Sequence, residues 1–155
     1  MKKQKTNLEK EIEKTQRLVN YYIRLKCAKI TPDGLVGICY TCGKIMLLLG
    51  DNKKHYHAGH YWKADKKSGH QSVRFHFDNI RPQCSGCNTY RGGMMAEFAQ
   101  KLIEEIGIDR FNKLGIMAKM PKKFNFTELE QIRLVVSELL LEDEMQEKIK
   151  LYHNK

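Results

Sequence analysis

Apolar residues recur at helical spacing near the N-terminus. Leu8, Ile12, Val19, Tyr22 and Ile23 form one stripe with Lys and Glu between them, which predicts an amphipathic helix over 7–29. Thr31-Pro32-Asp33-Gly34 supplies the turn chemistry that ends it. From 35 to 87 the helical period is lost. Short strand-like pieces alternate there with glycines and with most of the His and Cys, and no long helix fits. Met94, Met95, Phe98, Leu102 and Ile106 restore a helical face over 94–106, with Gly107 placed as the residue that closes it. Asp109 is positioned to cap a short helix over 110–117, and Pro121 among lysines reads as a linker. Thr127-Glu128-Leu129-Glu130 is a capping box, opening a last helix that runs to about 152. The pattern is that of an α+β chain in three parts: a basic N-terminal helix (1–30), a Cys/His-rich core (31–107) and a helical extension (108–155).

Charge adds a direction to this layout. The net charge is +10, unevenly spread. Residues 1–29 hold nine Lys and Arg against three Glu, and 51–93 hold eight against three Asp. Residues 127–147 invert this, with seven acids and one Arg. The first two-thirds should therefore face a polyanion, most simply nucleic acid, and the last helix should not. The plain alternative is charge that only keeps a small protein soluble. No apolar run approaches the roughly eighteen residues of a membrane span, and MKKQKTNLEKEIEK lacks the apolar segment of a secretory signal. A cytoplasmic protein with no membrane partner is expected.

The cysteines bring in chemistry. Four of the five form Cys39-Tyr-Thr-Cys42 and Cys84-Ser-Gly-Cys87. Two such knuckles suit tetrahedral zinc, because a two-residue spacer lets both thiolates reach one ion. Disulfides are the rival reading, but nothing in the chain suggests secretion. Four thiolates close the coordination sphere, so this zinc would be structural. Cys27 falls on the pattern of the first helix and reads as a small apolar residue.

Between the knuckles lies Gly59-His60, and Asn88 follows the last Cys. This order resembles the zinc-stapled HNH, or ββα-metal, endonucleases. Tyr22-Ile23-Arg24-Leu25, Ala58-Gly59-His60-Tyr61, Arg74-Phe75, Asp78-Asn79 and Gln83-Cys84-Ser-Gly-Cys87-Asn88 resemble more closely the phage NinG (Rap) recombination family. The resemblance covers 20 to about 107. It implies a treble-clef-like core of two antiparallel strands and a helix, flanked by further helices. It implies catalytic roles for His60, Asn79 and Asn88: His60 on the first strand as the base, Asn79 bracing the backbone around it, Asn88 near the helix start as a ligand of Mg²⁺ or Mn²⁺. The substrate it implies is DNA, branched or single-stranded, in the cytoplasm of a phage host.

The chemistry fits those residue types. A neutral imidazole takes a proton from water near neutral pH, and a hard cation on oxygen ligands stabilises charge at phosphorus. Many HNH enzymes carry a carboxylate just before the His, where this chain has Gly59. His57 and Asp78 are the candidates to replace it as metal ligands. Strand alternation sets His57 and His60 on opposite faces unless Gly59 forms a bulge. Arg74, Arg81, Arg91, Lys63, Lys66 and Lys67 are candidate phosphate contacts, while His55, His70 and His76 have no fixed spacing to the motif. Tyr61 and Trp62 would stack on an exposed base or pack beside the zinc site. A symmetric homodimer would suit cutting two strands of a junction, through the stripe of the first helix or through the last helix. A non-catalytic, zinc-stabilised nucleic-acid-binding module and a zinc-stapled protein adaptor are the alternatives to an enzyme.

Overall fold

The computed structural model describes residues 5–65 and 68–153. Helix α1 (Asn7–Cys27) starts with a capping box: the Thr6 hydroxyl accepts from the Glu9 N–H and the Glu9 carboxylate accepts from the Thr6 N–H. It ends two residues earlier than its pattern predicts, because Ala28 is already extended. Thr31–Gly34 does not end the helix. It is the tight turn joining β1 (Lys29–Thr31) to β2 (Gly34–Ile38), with Thr31 paired to Gly34. Strand β3 (Ile45–Leu47) completes a three-stranded antiparallel sheet in the order β1-β2-β3.

The second sheet positions the site. Strand β4 (Tyr56–His60) pairs antiparallel with β5 (Ile80–Cys84) in unbroken register, from Tyr56 opposite Cys84 to His60 opposite Ile80. Between them the chain makes two short 3-10 turns, Gln71–Val73 and Phe77–Asn79. A π-helical turn, Gly86–Tyr90, follows β5 and leads through Gly92 and Gly93, both at positive φ, to α2 (Met95–Ile106). Helix α3 (Ile108–Ala118) continues from the bend at Gly107.

The C-terminal part departs from its prediction twice. The helix α4 (Phe126–Leu140) is capped by Asn125, whose side chain accepts from the Glu128 N–H, two residues ahead of the Thr127 box. Phe124 packs at a tilt against Phe75, centroids 4.9 Å apart, just before the cap, and Lys122 pairs with Glu128. The expected single last helix is also broken, after Leu140. Helix α5 (Asp143–His153) begins afresh with Asp143 and Glu144 in its first turn, where carboxylates oppose the positive end of the helix dipole.

The main core joins all three parts of the chain. Val19, Tyr22, Ile23 and Leu25 of α1 pack with Leu35, Tyr56 and Ile80 from the sheets and with Leu129, Val136 and Met145 from α4 and α5. The apolar stripe of α1 is thus used within the chain. Lys148 is buried against it, its ammonium bonded to the Lys26 carbonyl at the end of α1 and to Glu144. A second, smaller core gathers Val73, Phe98, Leu102 and Leu114 between α2 and α3. Tyr61 and Trp62 pack there, on Phe98, Phe111 and His70, in the cluster that Tyr40 of the first knuckle also joins. Among the described residues no helix is long and apolar enough to cross a membrane.

Candidate metal and catalytic centre

The two knuckles meet because the first is tied to the second strand. The Tyr40 N–H donates to the Pro82 carbonyl at 2.8 Å, and the Cys39 N–H to the Lys44 carbonyl closes the knuckle turn. The sulfurs of Cys39, Cys42, Cys84 and Cys87 all lie within 4.8 Å of one another, and none is in a disulfide. A tetrahedral zinc with bonds of about 2.3 Å needs sulfurs about 3.8 Å apart. Cys42 and Cys84 stand at 3.8 Å. The four thiols therefore fit a structural metal such as zinc. Burial alone would raise the Cys39 thiol, but N–H groups of Cys42 and Cys84 and the Thr41 hydroxyl bring it down to about 6. The site thus favours one thiolate, on Cys39, while burial pushes the Cys42 and Cys87 thiols up. Cys27, half-buried on α1, has its thiol pushed up by burial and stands apart from the cluster.

A second site lies along the free edge of β4. His60, Ala58, Asn88, Arg74, Lys63 and Gln16 line one cleft of about 310 Å³. The His60 Nε2 faces the Arg74 carbonyl at 3.1 Å. A carbonyl only accepts, so this contact favours the proton on Nε2 and the lone pair on Nδ1. Burial lowers the His60 pKa below its ordinary value. The Arg74 guanidinium also lowers it, while the Arg74 and Ala58 carbonyls oppose both by accepting from the protonated ring. Burial thus favours the neutral imidazole, the form that can accept a proton.

Sequence reasoning missed Gln16. It reaches in from α1, its Nε2 3.4 Å from the His60 Nε2, and its carbonyl accepts from the Arg74 Nε at 2.9 Å. Arg74 also donates to the Ala64 carbonyl and to Gln71, which holds its guanidinium over the cleft. No motif marks Gln16; only its place on the inner face of a basic helix hints at it.

Asn79 is fully buried. Its side chain accepts from the Trp62 N–H at 2.7 Å and donates to the Trp62 and Val73 carbonyls, both at 3.0 Å. It staples the strand end just past His60 to the turn before Arg74. Asn88 donates from Nδ2 to the His57 Nδ1 at 3.0 Å, while the His57 Nε2 donates to the Lys54 carbonyl at 2.9 Å. Both His57 nitrogens are thus occupied, and the unbroken β4–β5 register holds no bulge at Gly59. His57 orients Asn88 and has no lone pair left for a metal.

Two other expectations change. Asp78 does not reach the cleft; both its carboxylate oxygens accept from the Arg110 Nη2 at 2.8 Å, on the far side of the 3-10 turn. Arg81 is not a phosphate contact. It is 9% exposed, forms a two-pronged pair with Glu105 at 2.8 and 3.0 Å, and donates to the Phe77 and Ile80 carbonyls. Arg91 is exposed but lines a different cavity, beside the cysteines. Lys63 remains at the cleft, and Lys66 and Lys67 lie outside the described residues. His55, His70 and His76 make structural contacts, with Ser85, the Ala118 carbonyl and the Asp78 N–H.

A family model described as the bacteriophage lambda NinG protein matches residues 1–146. No curated protein and no solved structure matches the chain. The match takes in both knuckles, the β4–β5 hairpin and helices α1 to α4. The chain belongs to the NinG family of phage recombination proteins.

Proposed function

We propose that the chain is a divalent-metal-dependent DNA endonuclease of phage recombination, of the HNH type, acting on branched or single-stranded DNA. The observation that carries the proposal is His60, its Nε2 set against the Arg74 carbonyl, in one cleft with a guanidinium and the Asn88 amide. The order of two antiparallel strands, cysteine knuckle and helix supports it, and the family supports the setting in phage recombination.

Each residue has a chemical part. The His60 Nδ1 takes the proton of the attacking water, and the Ala58 carbonyl is one of two backbone acceptors for the resulting imidazolium. The Arg74 guanidinium and the Lys63 ammonium bind the phosphate in the cleft. Asn79 keeps the backbone on either side of the base in place. The Asn88 Oδ1, left free by the bond of Nδ2 to His57, suits a hard cation. Bound there, Mg²⁺ or Mn²⁺ would stabilise charge at phosphorus and on the leaving O3′. A metal held by the four knuckle thiolates would have its coordination filled by protein and would supply structure, not chemistry.

The test is to incubate zinc-loaded protein, at substoichiometric amounts, with labelled four-way-junction, single-stranded and duplex DNA, with and without Mg²⁺. Many turnovers on the branched or single-stranded substrate, and none without added cation, are expected. Salt-sensitive binding to DNA with no cleavage of any substrate would overturn the enzyme reading and leave a binding module.

A further inference from the structure

Gly59 offers the cleft no side chain, and the reason lies on β5. A Cβ built on Gly59 would stand 2.1 Å from the Gln83 Oε1 and 3.1 Å from the Asn88 Oδ1. The space is already taken. By standard bond lengths a carboxylate oxygen lies about 2.4 Å from its own Cβ when one carbon separates them. The Gln83 oxygen therefore sits about as far from that point as an acidic side chain at 59 would carry its own.

Gln83 is 1% exposed, and its orientation is determined. Its Nε2 donates to the Gly93 carbonyl at 2.8 Å and to the Thr41 hydroxyl at 3.1 Å. The Gly93 carbonyl only accepts, so the nitrogen must face it and Oε1 must point the other way. There it has no hydrogen-bond partner. Buried acceptors are rarely left unpaired, because the lost hydration is not recovered. The same logic orients Asn88, whose nitrogen is committed to His57. Two amide oxygens thus flank Gly59, 2.1 and 3.1 Å from where its Cβ would stand, each turned there by a bond of its own nitrogen.

We infer that the Gln83 side-chain oxygen is the second protein ligand of the divalent cation that Asn88 holds, doing from β5 what a carboxylate at position 59 would do from β4. The inference rests on the nuclease reading for the cation's purpose, though not for its binding. Neutral amide oxygens are good donors to Mg²⁺ and Mn²⁺ but bind them less tightly than carboxylates do. The phosphate would then complete the charge balance, so cation and DNA should bind together more tightly than either alone. It also explains why residue 59 is glycine: any Cβ would push the Gln83 oxygen out of place.

The experiment is a Mn²⁺ titration of the zinc-loaded full chain, with free Mn²⁺ followed by electron paramagnetic resonance. The variants are Asn88→Ala, Gln83→Met and Gly59→Ala, each checked for zinc content and thermal melting. Gln83→Met keeps length and removes the oxygen; Gly59→Ala keeps Gln83 and displaces it. Both should weaken Mn²⁺ binding by roughly 10- to 100-fold, the range seen when groups around a metal site are altered. Should Gln83→Met fail to fold, Gly59→Ala carries the test: its Cβ displaces the Gln83 oxygen at 2.1 Å and only touches the Asn88 oxygen at 3.1 Å, so wild-type Mn²⁺ affinity there overturns the inference. Wild-type affinity in the folded variants, or wild-type binding that Asn88→Ala leaves untouched, overturns the inference. Cleavage assays on wild type separate the two readings. Mn²⁺ bound through Gln83 without DNA cleavage leaves this site standing and removes the nuclease. Cleavage with Mn²⁺ binding indifferent to both variants does the reverse.

Discussion

Replacing Arg81 with Met separates two roles that a basic residue can play. The side chain is 11% exposed and its guanidinium makes four hydrogen bonds. Two go to Glu105, whose side chain is 47% exposed, so that half of the interaction is discounted for solvent screening. Two go to the Phe77 and Ile80 carbonyls, which methionine would leave without this donor. Each such loss costs about 1–3 kcal/mol. Tyr40 still donates to Glu105 at 2.7 Å, which softens the loss on that side. A net destabilisation of about 2–4 kcal/mol follows, or a fall in Tm of roughly 5–15 °C for a chain of this size. Differential scanning calorimetry reads it directly. Arg81→Met should also leave the salt dependence of DNA binding unchanged, whereas Arg74→Met should reduce the slope of log K against log salt by about 0.9. A Tm within a degree or two of wild type, together with a reduced salt slope for Arg81→Met, would refute the buried-pair reasoning.

Other outcomes follow from the same geometry. Chelating the knuckle metal, or the change Cys84→Ser, should abolish the cooperative melt seen by circular dichroism, since metal binding at such sites contributes about 10 kcal/mol or more to folding; an unchanged melt would show that the cysteines hold no structural metal. Gly37→Ala puts a Cβ 2.7 Å from the ring of the fully buried Tyr56 and should cost about 1–3 kcal/mol in urea unfolding, with Gly34→Ala, strained by its φ of +119° rather than by a ring, as the comparison. Because burial lowers the His60 pKa in the folded chain, the unfolded chain binds the extra proton more readily. The His60 contribution to stability is therefore flat above about pH 6.5 and declines as pH falls from there to the folded pKa. His60→Gln should flatten that decline in urea melts run across pH.

The parts of this structure with short-range logic were legible beforehand. The stripe from Leu8 to Ile23 predicted α1, and the two CxxC knuckles predicted the cysteine cluster, because both are set by spacing along the chain. Long-range choices were not. Arg74 and Arg81 look alike in sequence, and only the position of Glu105 on α2 decides which one is buried. Asn125 and Thr127 both head capping boxes in sequence, and the helix uses the first, next to the contact of Phe124 with Phe75. His57 looked like a substitute ligand, yet a carbonyl at Lys54 and the amide of Asn88 occupy its two nitrogens. Gln16 and Gln83 carry no signature. Their roles come from helix α1 crossing the hairpin and from β5 lying beside Gly59.

The central claim is that His60 removes the proton from the attacking water. Single-turnover cleavage of a labelled four-way junction in Mg²⁺, by wild type and by His60→Ala at matched zinc content, tests it most directly. The predicted result is a rate lower by roughly 10²- to 10⁴-fold for the variant, with DNA binding retained. Equal rates for the two proteins, with both folded and zinc-loaded, would contradict it.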